Sequence, residues 1–274
     1  MRYAIISDIH SNIQALETVF RLFKEEDIEQ VICLGDITGY NANPSECVNF
    51  LRKDDRVKHY VVGNHDLASS DNLHFSEAKR FTKDAYDGVR YSQSQLNDKQ
   101  KRWLSSFPTQ KIIEDSQIKF MIRHGAPCGD SFSSDIFEYI LDTDDAKEVI
   151  KFFATNDGIR LGFFGHTHVP SFIGYNGKKC IVQMAFQMES LVITRKSFYN
   201  VEDAFDRKAW FLINPGSVGQ PRGKLLPSFV ILDTEKKFID FRSFCYDFRS
   251  AQKAIREAGY SQTLAKRLTL EFDK

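Results

Sequence analysis

Tyr3-Ala4-Ile5-Ile6-Ser7-Asp8-Ile9-His10-Ser11-Asn12-Ile13-Gln14-Ala15-Leu16 opens the chain with a short apolar run that stops at a carboxylate and an imidazole. A continuous run of this kind, bounded by polar residues, reads as a buried strand. Asn12 is placed to cap a following segment in which Ile13, Leu16, Val19, Phe20 and Phe23 share one helical face. A strand that ends in ligand-type side chains and feeds a helix is the first unit of an α/β fold.

The same unit recurs along the chain. Short apolar runs at residues 31–34, 60–62, 120–122 and 161–164 also read as strands. Asn43-Pro44 marks a second helix start, a capping side chain before a first-turn proline, with Cys47, Val48 and Leu51 on one side. Residues 67–110 are polar and read as a helical insertion or lid, with helices over 76–94 and 97–105. Trp103, Leu104 and Phe107 form the face that docks it. Ala146, Val149, Ile150 and Phe153 mark a helix before the fifth strand. From about residue 180 the pattern turns to strands (180–186, 191–194, 210–213, 229–233 and 238–246), with Asn176-Gly177 supplying a hairpin turn. Residues 250–274 read as a helical tail interrupted at Gly259, and the whole of 1–274 reads as one domain.

Composition narrows the function classes. The 274 residues are 42% hydrophobic and include 24 Phe, enough for a large core and against disorder. Lys plus Arg and Asp plus Glu are both 37, so no global field draws in nucleic acid or an anionic membrane. The five cysteines are scattered without CxxC spacing, which argues against a disulfide framework and a cysteine zinc site and fits a reducing cytoplasm. No run reaches the roughly 18 apolar residues of a membrane span, and the N-terminus does not read as a secretion signal. The pattern assigns no oligomeric state.

The chemistry lies where the five early strands end: Asp8-Ile9-His10, Gly35-Asp36, Gly63-Asn64-His65-Asp66, His124-Gly125 and Gly165-His166-Thr167-His168. In an open α/β sheet such strand ends share the edge where ligands bind. Five of the seven histidines of the chain are gathered in these clusters. Oxygen and imidazole donors without thiolate suit manganese or iron ahead of zinc, which the same donors also accept. The donors exceed the needs of one ion and match a two-metal clamp for displacement at phosphorus.

This ordered set, D-x-H, G-D, G-N-H-D, H-G and G-H-T-H, resembles the calcineurin-like metallophosphoesterase superfamily. The stretch Asn214-Pro-Gly-Ser-Val-Gly-Gln-Pro-Arg222 also resembles a late segment of its bacterial members, which include phosphodiesterases and relatives of diadenosine tetraphosphatases. The resemblance implies a four-layer α/β/β/α sandwich of two mixed β-sheets flanked by helices, and the β-rich second half is expected to supply the second sheet. It implies two divalent ions, one held by Asp8, His10 and His168 and the other by Asn64, His124 and His166, with Asp36 bridging them. It implies His65 as the general acid at the leaving oxygen. A metal-bridging hydroxide is the expected nucleophile, because two ions acidify the water between them.

The sequence departs from the family pattern at Gly39, where many members, notably the protein phosphatases, have an aspartate that orients the catalytic histidine. That points away from protein phosphatases and leaves His65 to another partner, Asp66 or a backbone carbonyl. Substrates whose leaving group needs little protonation are then favoured over alkyl monoesters. Ser11 replaces the glycine many relatives have there. The segment ending at Arg222 reads as a turn chain whose sharper reading is a phosphate contact. His59 reads as structural and His74 as solvated. The function expected is hydrolysis of phosphodiester or nucleotide phosphate bonds in a small, nucleotide-like substrate. Behind it come a dinucleoside-tetraphosphate hydrolase, a phosphomonoesterase and a non-catalytic scaffold.

Overall fold

The computed structural model describes residues 1–71, 80–127, 137–155, 158–185, 197–223, 225–259 and 262–268. The expected strand at 191–194, His74 and Cys128 lie outside these residues.

The opening strand is β1 (Arg2–Ile6); β2 (Gln30–Cys33) pairs parallel with it, and β3 (Val57–Tyr60) pairs parallel with β2. Helix α1 (Ile13–Glu25) follows β1, with Asn12 Oδ1 accepting the Ala15 N–H at 3.1 Å as the capping pattern predicts. Helix α2 (Pro44–Lys53) has its proline in the first turn, but the Asn43 side chain makes no capping bond. Proline removes one N–H that a cap would otherwise have to satisfy. Helix α3 (Asn64–Ser69) is a short turn directly on a ligand cluster.

Of the expected insertion, α4 (Lys83–Gln95) and α5 (Asp98–Ser105) are described. Leu104 is fully buried with Val48 and Leu51 of α2, while Trp103 and Phe107 pack on Tyr60. The docking face is therefore the one the spacing predicts.

A second sheet is built on β4 (Gln110–Glu114), β5 (Lys119–Arg123) and β6 (Leu161–Phe163), with α6 (Thr143–Phe153) between the last two. Strands β7 (Ser171–Tyr175) and β8 (Cys180–Met184) form the hairpin expected at Asn176-Gly177. Next come β9 (Ser197–Asn200), α7 (Glu202–Phe205), β10 (Trp210–Asn214), β11 (Ser228–Asp233) and β12 (Phe238–Ser243). The tail is α8 (Phe248–Glu257) and α9 (Gln262–Arg267), separated at Gly259.

The two mixed sheets have the orders β3-β2-β1-β11-β12-β9 and β4-β5-β6-β10-β7-β8. This corrects the expectation that the second half of the chain supplies the second sheet. Strands β9, β11 and β12 extend the first sheet, β11 pairing antiparallel with β1, while β7, β8 and β10 complete the second. The apolar runs were legible, but hydrophobic pattern alone does not say which edge a strand joins.

Alternation along β1 sets the layers. Ile5 packs with Ile32, Phe120, Phe163 and Val230 between the sheets, whereas Ala4 and Ile6 face Leu16, Val19 and Phe23 of α1. On the far side Val149, Ile150 and Phe153 of α6 cover Met121, Ile173 and Leu212. Each sheet is thus apolar on both faces, which fixes helix, sheet, sheet and helix in that order.

Candidate metal centre

The five ligand clusters do not share one sheet. The ends of β1, β2 and β3 come from the first sheet and those of β5 and β6 from the second, and the centre forms where the two sets of loops meet. Backbone hydrogen bonds join the first two loops: Asp8 N–H to Gly35 O (3.1 Å), His10 N–H to Asp36 O (2.9 Å) and Ser11 N–H to Ile37 O (2.8 Å). Gly63 lies so close to Asp36 that a Cβ there would overlap the carboxylate, so this loop requires glycine.

Asp8, His10, Asp36, Asn64, His65, His124, His166 and His168 are all brought together and are at most 4% exposed. Asp8, His10, Asp36, His166 and His168 have positive φ, between 48° and 67°. Such backbone costs a non-glycine residue about 1 kcal/mol or more and is characteristic of functional sites.

Three triads stand out, Asp8 with His10 and His168, Asp36 with His124 and His166, and, between them, His10 with Asp36 and His65; in each, the candidate ligand atoms lie within 4.8 Å of one another. His10 Nε2 is 3.6 Å from Asp36 Oδ2 and links the first two. Three imidazoles are oriented from behind by backbone carbonyls: His10 Nδ1 by Thr38 O (3.0 Å), His124 Nδ1 by Leu34 O (2.8 Å) and His168 Nδ1 by Gln220 O (2.5 Å). A carbonyl only accepts, so Nδ1 carries the proton and Nε2 presents its lone pair inward.

The inward atoms fit a cation. His10 Nε2 and His168 Nε2 face each other at 3.1 Å, and Asn64 Oδ1 faces His124 Nε2 at 3.1 Å. Asp8 Oδ1, Asp36 Oδ2 and His166 Nε2 are buried without a hydrogen-bond partner. Buried acceptors left without a hydrogen-bond donor are costly in a protein interior unless a positive charge satisfies them. The remaining carboxylate oxygens are fixed by backbone donors, Asp36 Oδ1 by His65 N–H (2.9 Å) and Asp8 Oδ2 by His166 N–H (3.1 Å).

Burial holds His10, His166 and His168 well below the ordinary histidine range, which keeps them neutral and able to donate a lone pair. It lowers His65 to about 4. His124 is the exception: burial penalises its charged form, but the nearby Asp36 charge outweighs this and lifts it to about 9, so its Nε2 presents a lone pair only once a cation displaces that proton. For Asp36 burial acts upward, and the opposing charges of His124 and His65 bring it well below the carboxylate range. Burial raises Asp8 to about 7.

The surroundings correct one expectation. Asp66 does not orient His65: its carboxylate accepts Thr38 N–H (3.0 Å), Thr38 Oγ1–H (3.1 Å) and Gly63 N–H (3.3 Å). His65 Nδ1 is buried without a hydrogen-bond partner, and the ring is held by Gly39, Tyr40 and Phe81. Asn41 braces the first loop through Nδ2–H to His10 O at 2.7 Å.

The 214–222 segment is more than a turn. Asn214 Nδ2 donates to Gly165 O (2.8 Å) and Thr167 Oγ1 (2.9 Å), and Ser217 Oγ donates to Asp8 O (2.8 Å). It therefore buttresses the first and last ligand loops together. Arg222 hydrogen-bonds the Tyr40 side chain, and its charge acts on His10, His65, His166 and His168. His59 stands apart on β3, lining another cleft with Tyr3 and Asp115. A cleft of about 950 Å³ beside α1, lined by Phe20, Lys24 and Tyr246, includes no residue of the five ligand clusters.

Sequence reasoning missed Tyr139 and Phe81, whose rings lie 4.0 and 4.9 Å from His166 and His65. Neither belongs to a ligand motif, and only the folded chain brings them to the site.

With this geometry in place, the chain belongs to the calcineurin-like phosphoesterase superfamily, whose domain model matches residues 1–237. It is a phosphoesterase of the hydrolase class, from a metal-dependent family, and its His/Asp clusters could bind metal. It is 32% identical over 272 residues to an uncharacterized protein of Methanocaldococcus jannaschii, covering 97% of both chains. A metallophosphoesterase from Sphaerobacter thermophilus is similar in structure, with a TM-score of 0.75, 29% identity and 98% of both chains covered. A hypothetical protein of Pyrococcus horikoshii shares the fold, with a TM-score of 0.71, 16% identity and 97% coverage of both chains. No helix among the described residues is long and apolar enough to cross a membrane.

Proposed function

We propose that this phosphoesterase uses two divalent ions, manganese or iron by preference, to hydrolyse phosphodiester or nucleotide phosphate bonds. Asp8, His10 and His168 hold one ion, Asn64, His124 and His166 hold the other, and Asp36 lies between them. When bound, the pair supplies Lewis acidity, lowering the pKa of water toward neutrality and offsetting phosphate charge.

The residues of the chain do the rest. Carbonyls of residues 34, 38 and 220 fix three imidazoles, so the donor set is formed before substrate arrives. Arg222 supplies the cation that meets the phosphate oxygens. His65, neutral near pH 7, donates a hydrogen bond to the leaving oxygen instead of relying on a stored proton. The observation that carries this reading is the pairing of two buried triads through His10 and Asp36, with Asp8 Oδ1, Asp36 Oδ2 and His166 Nε2 left without hydrogen-bond partners.

The test is hydrolysis by manganese-loaded protein of an aryl phosphodiester, a dinucleoside polyphosphate, an aryl monoester and an alkyl monoester, with and without chelator. Metal-dependent turnover of the diester or dinucleotide, with the alkyl monoester far behind, is expected. No metal-dependent turnover of any of them contradicts the reading.

A further inference from the structure

Among the described residues, Tyr139 is one of six large hydrophobic side chains left exposed, at 42%. Its exposure is not that of a loose loop. Phe137 and Ile140 on either side are buried at 7% and 2%, and Glu138 O accepts the Ala126 N–H at 3.0 Å, tying the segment to the loop just after His124. The Tyr139 ring lies 4.0 Å from the His166 imidazole, inclined by 46°.

It ends an arc of aromatic rings over the centre. Phe81 meets His65 edge-on at 4.9 Å, Phe137 meets Phe81 at 5.8 Å, and Arg80 lies 4.2 Å over the Phe137 ring. The charge of Arg222 reaches Tyr139 as well as Tyr40. The lip of the site thus combines an exposed planar ring with guanidinium groups, directly beside buried ligand atoms.

We infer that Tyr139 is the stacking platform for the nucleobase of a phosphorylated substrate whose phosphate enters the His/Asp centre. The inference rests on the phosphoesterase reading above and adds a substrate class to it. A substrate whose phosphate enters the centre brings its attached group against this ring, because the ring abuts His166. Among such groups the flat, exposed tyrosine face matches a purine or pyrimidine, whose stacking on an aromatic side chain contributes substantially to affinity. Tyr139 therefore determines specificity, while the reacting atoms belong to the residues beneath it.

The experiment is calorimetric binding of adenosine 5′-monophosphate and ribose 5-phosphate to the manganese-loaded protein, in wild type, Tyr139→Ala and Tyr139→Phe, with manganese content measured on each sample. The two ligands differ only by the base. Wild type is expected to prefer the nucleotide by about tenfold or more, the preference to fall to about threefold or less in Tyr139→Ala, and Tyr139→Phe to restore it. Equal affinity for both ligands in wild type overturns the inference. So does a preference that survives in Tyr139→Ala with manganese content intact. Nucleotide preference without ester hydrolysis removes the phosphoesterase reading and leaves the stacking platform standing, whereas ester hydrolysis without nucleotide preference removes the platform alone.

Discussion

A Cβ built on Gly39 would overlap Nδ1 of His65, so the imidazole occupies the space that any side chain at residue 39 would need. Gly39 also has φ +94°, a conformation other residues adopt with strain. Where other family members place an orienting carboxylate, this chain places nothing and packs the ring against backbone, Tyr40 and Phe81. Gly39→Ala is expected to cost about 1–2 kcal/mol in stability from backbone strain. It should also lower kcat by at least about tenfold through displaced His65, with metal content unchanged. Calorimetry, kinetics and metal analysis of one preparation check all three, and an unaltered kcat would show that His65 is not positioned by this contact.

Asn214 bonds Gly165 and Thr167, on either side of His166, from a distant part of the sequence. Asn214→Ala is expected to weaken metal binding about 10- to 100-fold, the usual effect of losing a group that supports ligands. Asn214→Asp should not rescue it, because a carboxylate cannot donate to the Gly165 carbonyl. Metal titration of the two variants followed by elemental analysis tests this, and wild-type affinity in Asn214→Ala would contradict it.

Metal removal has a thermodynamic signature. A ligand that binds only the folded state at about 100 times its Kd stabilises by about 2.7 kcal/mol. For a chain of this size, chelation is expected to lower Tm by about 5–10 °C and manganese to restore it. The shift should be absent in Asp36→Asn, and a chelator-insensitive wild type would be the opposing result.

His59, on β3 and away from the centre, gives a pH prediction. Burial first, and then the charge of Lys111, lowers it from 6.5 to about 4. Between these values the unfolded chain binds more protons, so the contribution of His59 to stability is present above pH 6.5 and is lost as pH falls through 4. The group is only half-buried, and screening by solvent reduces the effect to about 1 kcal/mol. Relative to wild type, His59→Gln should gain stability as pH falls from 6.5 to 4, as measured by urea denaturation. A constant difference across that window would exclude the assignment.

The sequence carried much of the architecture because its signals were local. The run ending at Ile6, the stripe from Ile13 to Phe23 and the cap at Asn12 each depend on neighbours a few residues away, and the fold keeps all three. The place of Asp8, Asp36, Asn64, His124 and the 166–168 pair at strand ends was legible, but they were read onto the edge of one sheet, whereas the centre joins strand ends of two. The sheet assignment of β9, β11 and β12 did not follow, since pairing with β1 or β10 is a long-range choice between similar apolar strands. Nor did the positive φ values at the ligand loops, which record strain that residue type alone does not announce. Tyr139 and Phe81 were illegible for the same reason, as isolated aromatics without periodicity whose meaning is their distance from His166 and His65.

In the proposed function, Asp8, His10, Asp36, Asn64, His124, His166 and His168 hold two metals and His65 acts on the leaving group without holding either. The most direct test of this assignment is metal content and aryl phosphodiester turnover measured together on wild type and His65→Ala. Two ions per chain are expected in both proteins, with kcat reduced by about 100-fold or more in the variant, the scale of losing one hydrogen-bond donor aimed at developing negative charge. Loss of metal along with activity in His65→Ala, or full activity without His65, would contradict the assignment.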